Sequence, residues 1–165
     1  MMDVRMTKDH TNPFMMQACS LALNNVREGG GPFGCVIVKD GAVLARGVNR
    51  VTSTNDPTAH AEVVAIREAC AKLNNFQLTG CEIYTSCEPC PMCLSAIYWA
   101  RPERVYFANT KEDAAAIGFD DSFIYAEIAR PIHERKIQLI HMLEMHPVAQ
   151  EAFKVWMASD KKIKY

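Results

Sequence analysis

Three cysteines crowd into one stretch, Cys87-Glu88-Pro89-Cys90-Pro91-Met92-Cys93, and a histidine and a glutamate stand two apart upstream, in Thr58-Ala59-His60-Ala61-Glu62. Thiolate and imidazole are the ligands zinc takes most readily. Cys90 and Cys93 are three apart, so in the first turn of a helix both sulfurs point to one side. The partial positive charge of a helix N-terminus favours the thiolate, the form that binds metal. With His60 they make three ligands, the set that catalytic zinc sites commonly draw from the protein while leaving the fourth position to water. The metal lowers the pKa of that water toward ~7, which makes hydroxide available near neutral pH. Glu62 follows His60 by two residues; on a regular helix such side chains diverge by about 200°. Glu62 is therefore read as a proton shuttle, serving ring nitrogen and leaving amine, and not as a ligand.

Other chemistries fit these residues less completely. A closed, structural zinc site needs a fourth ligand, for which Cys87 is the close candidate. A ferredoxin-like run requires one more cysteine four positions on, where the chain has Ile97. A thioredoxin-like redox pair at Cys90 and Cys93 leaves His60 and Glu62 unused. His10, His133, His141 and His146 are read as ordinary polar residues.

The elements that must carry these side chains are legible in outline. Asn12-Pro13 reads as a cap followed by proline at the first helical position. Met15, Ala18, Ala22 and Val26 then form an apolar stripe that ends at Gly29-Gly30-Gly31. Phe33 to Val38 and Ala42 to Val48 flank Lys39-Asp40-Gly41, a hairpin signal. Val51 to Pro57 is polar and turn-rich. A second helix starts near Thr58 and carries Val63, Ile66, Cys70 and Leu73. Cys81 to Thr85 predicts a third strand, Pro91 to Ala100 a helix, and Arg104 to Ala108 a fourth strand. Lys111 to Ala129 reads as helix in two pieces broken around Gly118, Lys136 to His141 as a fifth strand, and the stretch after Pro147 as a helix with Val148, Ala152 and Trp156 on one face. A hairpin followed by helix–strand units predicts a mixed sheet with helices on both sides.

His60-Ala61-Glu62 followed by Pro89-Cys90-Pro91-Met92-Cys93 resembles the H-x-E…P-C-x-x-C signature of zinc nucleobase deaminases. The resemblance implies the cytidine-deaminase-like α/β/α sandwich with a mixed, about five-stranded sheet. It also implies zinc, one ion per chain, on His60, Cys90 and Cys93, with Glu62 as general acid/base. Further segments, Gly30-Gly31-Pro32-Phe33-Gly34, Asn55-Asp56-Pro57-Thr58-Ala59-His60, Ile97-Tyr98-Trp99-Ala100-Arg101-Pro102 and Gly118-Phe119-Asp120-Asp121-Ser122-Phe123-Ile124-Tyr125, together with the lysine-rich end and Tyr165, look like the bacterial guanine deaminases. That likeness runs from Pro13 to Tyr165; it departs at Ser95, where many relatives have glycine.

Membership of that family implies hydrolysis of guanine to xanthine and ammonia. It assigns substrate contacts to Phe33, Asn49, Trp99 and Tyr165 and to the backbone at Ala61 and Cys90, and gives Asp121 the exocyclic amine. Each has a plainer alternative: core packing for Phe33 and Trp99, a turn for Asn49, a helix-start carboxylate for Asp121, a frayed end for Tyr165. The family further implies a homodimer in which a segment of about 147–165 crosses to the partner. Guanosine, cytosine or tRNA adenosine deamination, and a non-catalytic zinc module closed by Cys87, are the competing readings.

Composition narrows the field. With 165 residues, 49% hydrophobic and 22% charged, the chain is expected to be a single domain with its own core. A formal net charge of −1 lacks the basic excess of a dedicated nucleic-acid binder, and Lys161, Lys162 and Lys164 read as a solvated tail, so the balance leans toward a small-molecule substrate, which the resemblance implies is a purine base. Seven cysteines, an odd number, argue against a disulfide framework. Cys19, Cys35, Cys70 and Cys81 are read as small core side chains. Met1 to His10 carries charges where a signal peptide needs an apolar run, and no stretch approaches the ~20 apolar residues of a membrane helix. A cytoplasmic protein without membrane attachment is expected.

Overall fold

Asn12 accepts hydrogen bonds from the backbone N–H groups of Phe14 and Met15, at 2.9 and 3.0 Å, and so starts helix α1, Pro13–Arg27. The computed structural model describes residues 11–165, so the readings of Met1–His10 lie outside the described residues. These fall into two units, one ending at Asp121 and the other running Ser122–Tyr165.

In the first unit α1 leads into the hairpin β1, Gly34–Lys39, and β2, Ala42–Val48, turned by Asp40 and Gly41 with φ of 50° and 74°. Positive φ at both central residues matches the right-handed twist of the flanking strands. A short helix α2, Val51–Thr54, precedes α3, Ala61–Leu73; then follow β3, Cys81–Cys87, α4, Pro91–Ala100, β4, Arg104–Asn109, and α5, Lys111–Ala116. The sheet order is β2-β1-β3-β4, with β1 antiparallel to both neighbours and β3 parallel to β4. Parallel neighbours need a crossover, which α4 supplies.

The pleat sorts the core into two layers. Val36, Val38 and Tyr84 face α1, packing on Ala18 with Phe14, Met15 and Leu21. Cys35, Ile37, Ala45 and Ile83 face the other way, onto Ala61, Ala65 and Ala69 of α3 and Ile97 and Ala100 of α4. The alanine face of α3 lets that helix come close. At Gly47 an added Cβ would lie 2.0 Å from the Ala61 carbonyl oxygen, so glycine lets β2 press directly on the turn that carries Glu62.

The second unit holds α6, Ser122–Ala129, the single 3₁₀ turns Ile132–Glu134 and Leu143–Met145, and α7, His146–Ala158. Lys136–His141 is not a strand; among the described residues the sheet has four strands, not five. In the Lys136–His141 segment Ile137 and Ile140 are 82% and 80% exposed. β-propensity there finds no ladder to join, because this unit contains no other strand.

Three other expectations are corrected. α3 starts at Ala61, with His60 in the N-cap position, and not near Thr58, whose N–H and hydroxyl both donate to Asp56 Oδ1 in a turn of their own. The segment after β2 contains the helical turn α2. Cys19 is exposed, one position off the buried stripe of α1, which runs through Ala18, Ala22 and Asn25; Val26 is on the outside.

Candidate active site

Two helices open their N-termini toward one point. His60 is the N-cap of α3 and Cys90 the N-cap of α4, both with extended backbone and neither with a side-chain cap. Cys93 lies in the first turn of α4, behind Pro91 at the first helical position. His60 Nδ1 sits 3.5 Å from Cys90 Sγ and 3.4 Å from Cys93 Sγ. All three ligand atoms lie within 4.8 Å of one another, and among the described residues no other such group of three occurs. A tetrahedral zinc ion with ordinary bond lengths separates a nitrogen and a sulfur ligand by about 3.6 Å. The triad fits the ion.

The electrostatics suit a cation as well. Hydrogen bonding from the Cys93 thiol, and then from His60, brings the Cys90 thiol down to about 4, so it stands as thiolate. Its hydrogen bond to Cys90, together with burial, pushes the Cys93 thiol up. His60 is raised, first by its hydrogen bond to Cys90.

Glu62 is 6% exposed, and burial raises its carboxyl. Its Oε1 accepts from the Thr85 hydroxyl at 3.1 Å, and Oε2 lies 3.5 Å from Cys93 Sγ. Glu62 therefore faces the triad, although regular helical geometry predicts divergence from His60. The cause is local: His60 has φ −69° and ψ 156°, outside the helix, so the helical rotation per residue does not apply to this pair.

Cys87 takes no part. Its thiol donates to the Thr110 carbonyl at 3.5 Å, and burial pushes it up to about 11. Among the described residues the triad thus lacks a fourth protein ligand. The loop between β3 and α4 is pinned through Glu88, whose N–H donates to the Asn109 carbonyl at 2.8 Å and whose Oε2 accepts from the Lys111 N–H at 3.1 Å.

The chain matches the family described as "Cytidine and deoxycytidylate deaminase zinc-binding region" over residues 8–109. It belongs to that family. Over 125 residues it is 62% identical to the guanine deaminase of Bacillus subtilis (strain 168), covering 75% of this chain and 80% of that one. The X-ray structure of a guanine deaminase from Bacillus subtilis superposes with a TM-score of 0.89 at 53% identity, covering 95% of this chain and 99% of that chain. A tRNA-specific adenosine deaminase of Aquifex aeolicus is 43% identical over 95 residues, 58% of this chain and 63% of that protein. A solved structure in complex with 8-azaguanine matches with a TM-score of 0.63 at 36% identity, covering 66% of this chain and 63% of that chain.

The family's fold is the one observed, and its zinc is the ion the triad fits. The remaining residues singled out from sequence are placed as follows. Ala61, fully buried, is the first residue of α3. Phe33 precedes β1 and meets Phe119 edge-on, ring centroids 5.0 Å apart. Asn49, at the end of β2, is nearly buried, and its Oδ1 accepts from the Val51 N–H at 3.2 Å. The Asp121 carboxyl is raised, first by burial and then by the negative charge of Cys90. Trp99 is 63% exposed, so the core-packing alternative for it is out. Tyr165, in the second unit, is 69% exposed.

Thr85 and Asn25 escaped the sequence reading. A threonine inside a strand looks like β-propensity alone, and nothing local reveals the carboxylate it serves. Asn25 did leave a trace: it stands three after Ala22 and seven after Ala18, on the buried stripe.

Proposed function

We propose that this protein hydrolyses guanine to xanthine and ammonia. The observation that carries the reading is the 62% identity to a guanine deaminase across 80% of its length. The triad and the buried carboxylate beside it support the chemistry. His60, Cys90 and Cys93 would hold zinc, which when bound supplies the Lewis acidity that lets water attack near neutral pH. Glu62 carries one proton of that water to the ring nitrogen as the oxygen adds, then carries the second, from the new hydroxyl, to the departing amine, so that the C2–N bond breaks as the carbonyl forms. Its raised carboxyl, caused by burial, suits a group that must hold a proton part of the time. Asp121 would hold the exocyclic amine, its own raised carboxyl serving the same purpose.

Around the base, Phe33 would offer an aromatic face, Asn49 its amide, Ala61 and Cys90 their backbone groups and Trp99 the outer wall, with Tyr165 of the exchanged tail closing the pocket of the other subunit. The protein would act as a homodimer, with the segment of about 147–165 exchanged within an otherwise single-domain fold. Exposed Val148, Phe153, Val155 and Met157 on α7 support a partner surface there. The likeness to a bacterial guanine deaminase supports a cytoplasmic location; among the described residues no helix is long and apolar enough to cross a membrane.

The test is a substrate panel. Purified enzyme incubated separately with guanine, guanosine, adenine, cytosine and a tRNA anticodon stem should release ammonia from guanine. Ammonia from guanosine but not guanine, or inosine in the RNA alone, would overturn the assignment. The formal net charge of −1 weighs against the RNA outcome.

A further inference from the structure

Asn25, in the last turn of α1, is 8% exposed and spends both N–H bonds of one amide on main-chain carbonyls. Its Nδ2 donates to the Gly31 carbonyl at 2.8 Å and to the Asn49 carbonyl at 2.9 Å. These two acceptors belong to different segments, the turn that leads into β1 and the end of β2. The main-chain carbonyl of Asn25 accepts from the Gly30 N–H at 2.7 Å, which closes the turn onto the helix.

Phe33 and Asn49 hang on the same small network. The Gly31 carbonyl accepts from the Phe33 N–H at 2.8 Å as well as from Asn25, and the Phe33 carbonyl accepts from the Asn49 N–H at 3.2 Å. Gly31 lies flat against the Asn49 amide: a Cβ there would sit 3.1 Å from Asn49 Cγ. Asn49 is thus held at its N–H, at its carbonyl and along one side of its amide. Buried amide donors that each meet a carbonyl fix geometry tightly, since losing one strands a buried acceptor.

We propose that Asn25 is a positioning residue for substrate recognition: it clamps the Gly31 and Asn49 carbonyls and so sets Phe33 and Asn49 at the spacing a purine requires. The proposal rests on the assignment of those two residues to the base under the function proposed above. Asn25 touches neither substrate nor metal. Its effect should therefore fall on substrate affinity and leave the zinc triad intact, because His60, Cys90 and Cys93 are held by α3 and α4.

The test is steady-state kinetics with guanine, together with zinc content and thermal midpoint, on the full chain. Asn25→Ala should raise KM about 10- to 100-fold, the scale of a misplaced recognition group, with kcat changed much less and zinc per chain unaltered. In a double-mutant cycle Asn49→Ala should cost far less on top of Asn25→Ala than it costs alone. Gly31→Ala presses on the Asn49 amide from the other side with Asn25 intact, and should give the same rise in KM. That second variant decides the matter if Asn25→Ala does not fold. An unchanged KM in a folded Asn25→Ala, fully additive losses, or a normal KM in Gly31→Ala would overturn the proposal. A wild-type enzyme inert on guanine would instead sink the functional assignment.

Discussion

The Thr85 hydroxyl and the Glu62 carboxylate form a hydrogen bond of 3.1 Å between β3 and α3, with Thr85 only 1% exposed. The contact is buried, so the donor fixes the direction of the carboxylate, while burial, the larger influence, still raises its carboxyl. Hydrogen bonds to charged groups contribute about 1.5–3 kcal/mol. Thr85→Val keeps the shape and removes the donor, so kcat should fall about 10- to 100-fold, while Thr85→Ser retains most of the wild-type rate. Equal activity in the valine and serine variants would mean that the contact is packing alone.

Glu62→Gln separates proton transfer from metal binding. The amide preserves the volume in the buried slot and cannot accept the proton. Turnover should drop by about 100- to 10,000-fold, the usual contribution of a general acid/base, with about one zinc per chain retained. Metal analysis of the purified variant is the check. Loss of zinc would make Glu62 a ligand and remove the proton-shuttle mechanism.

Cys87 provides the complementary case. Its thiol is committed to the Thr110 carbonyl and pushed up to about 11 by burial. Cys87→Ser should keep its zinc, whereas Cys90→Ser and Cys93→Ser should each lose most of it. Zinc lost from the Cys87 variant, in a chain that still folds, would revive the closed structural site.

How much of this was written in the sequence depends on whether a feature is local. The α4 boundaries follow from Pro91 at its start and the apolar run to Ala100, and both hairpin strands follow from Asp40-Gly41; all are contiguous signals. The metal triad was legible because ligand chemistry restricts residue types so sharply. Glu62 was assigned its role through an argument about helical divergence that does not hold, since His60 lies outside the helix. Asn25 and Thr85 act across 24 and 23 residues of chain respectively, distances at which periodicity carries no information. Lys136–His141 failed for the converse reason: strand propensity is local, and strand pairing is not.

The tail gives a prediction independent of the metal. If Tyr165 closes over a bound base, removing the residues after Ser159 should reduce turnover well beyond any change in thermal midpoint. An unaltered rate would take Tyr165 out of the site.

Zinc uptake should report the protonation of its ligands. Before the metal arrives Cys90 is already a thiolate, whereas Cys93, pushed up by its hydrogen bond to Cys90 and by burial, holds its proton. Binding must therefore displace about one proton near neutral pH. His60 is raised, first by its hydrogen bond to Cys90, so as pH falls through its folded value it too becomes protonated and must lose that proton to the metal. Proton release therefore grows toward acid, and zinc affinity falls with it. Calorimetric titration of apoprotein in buffers of different ionisation enthalpy, at about pH 6 and about pH 8, measures the count directly. Proton release near zero at both values would mean that these three side chains are not what binds the ion.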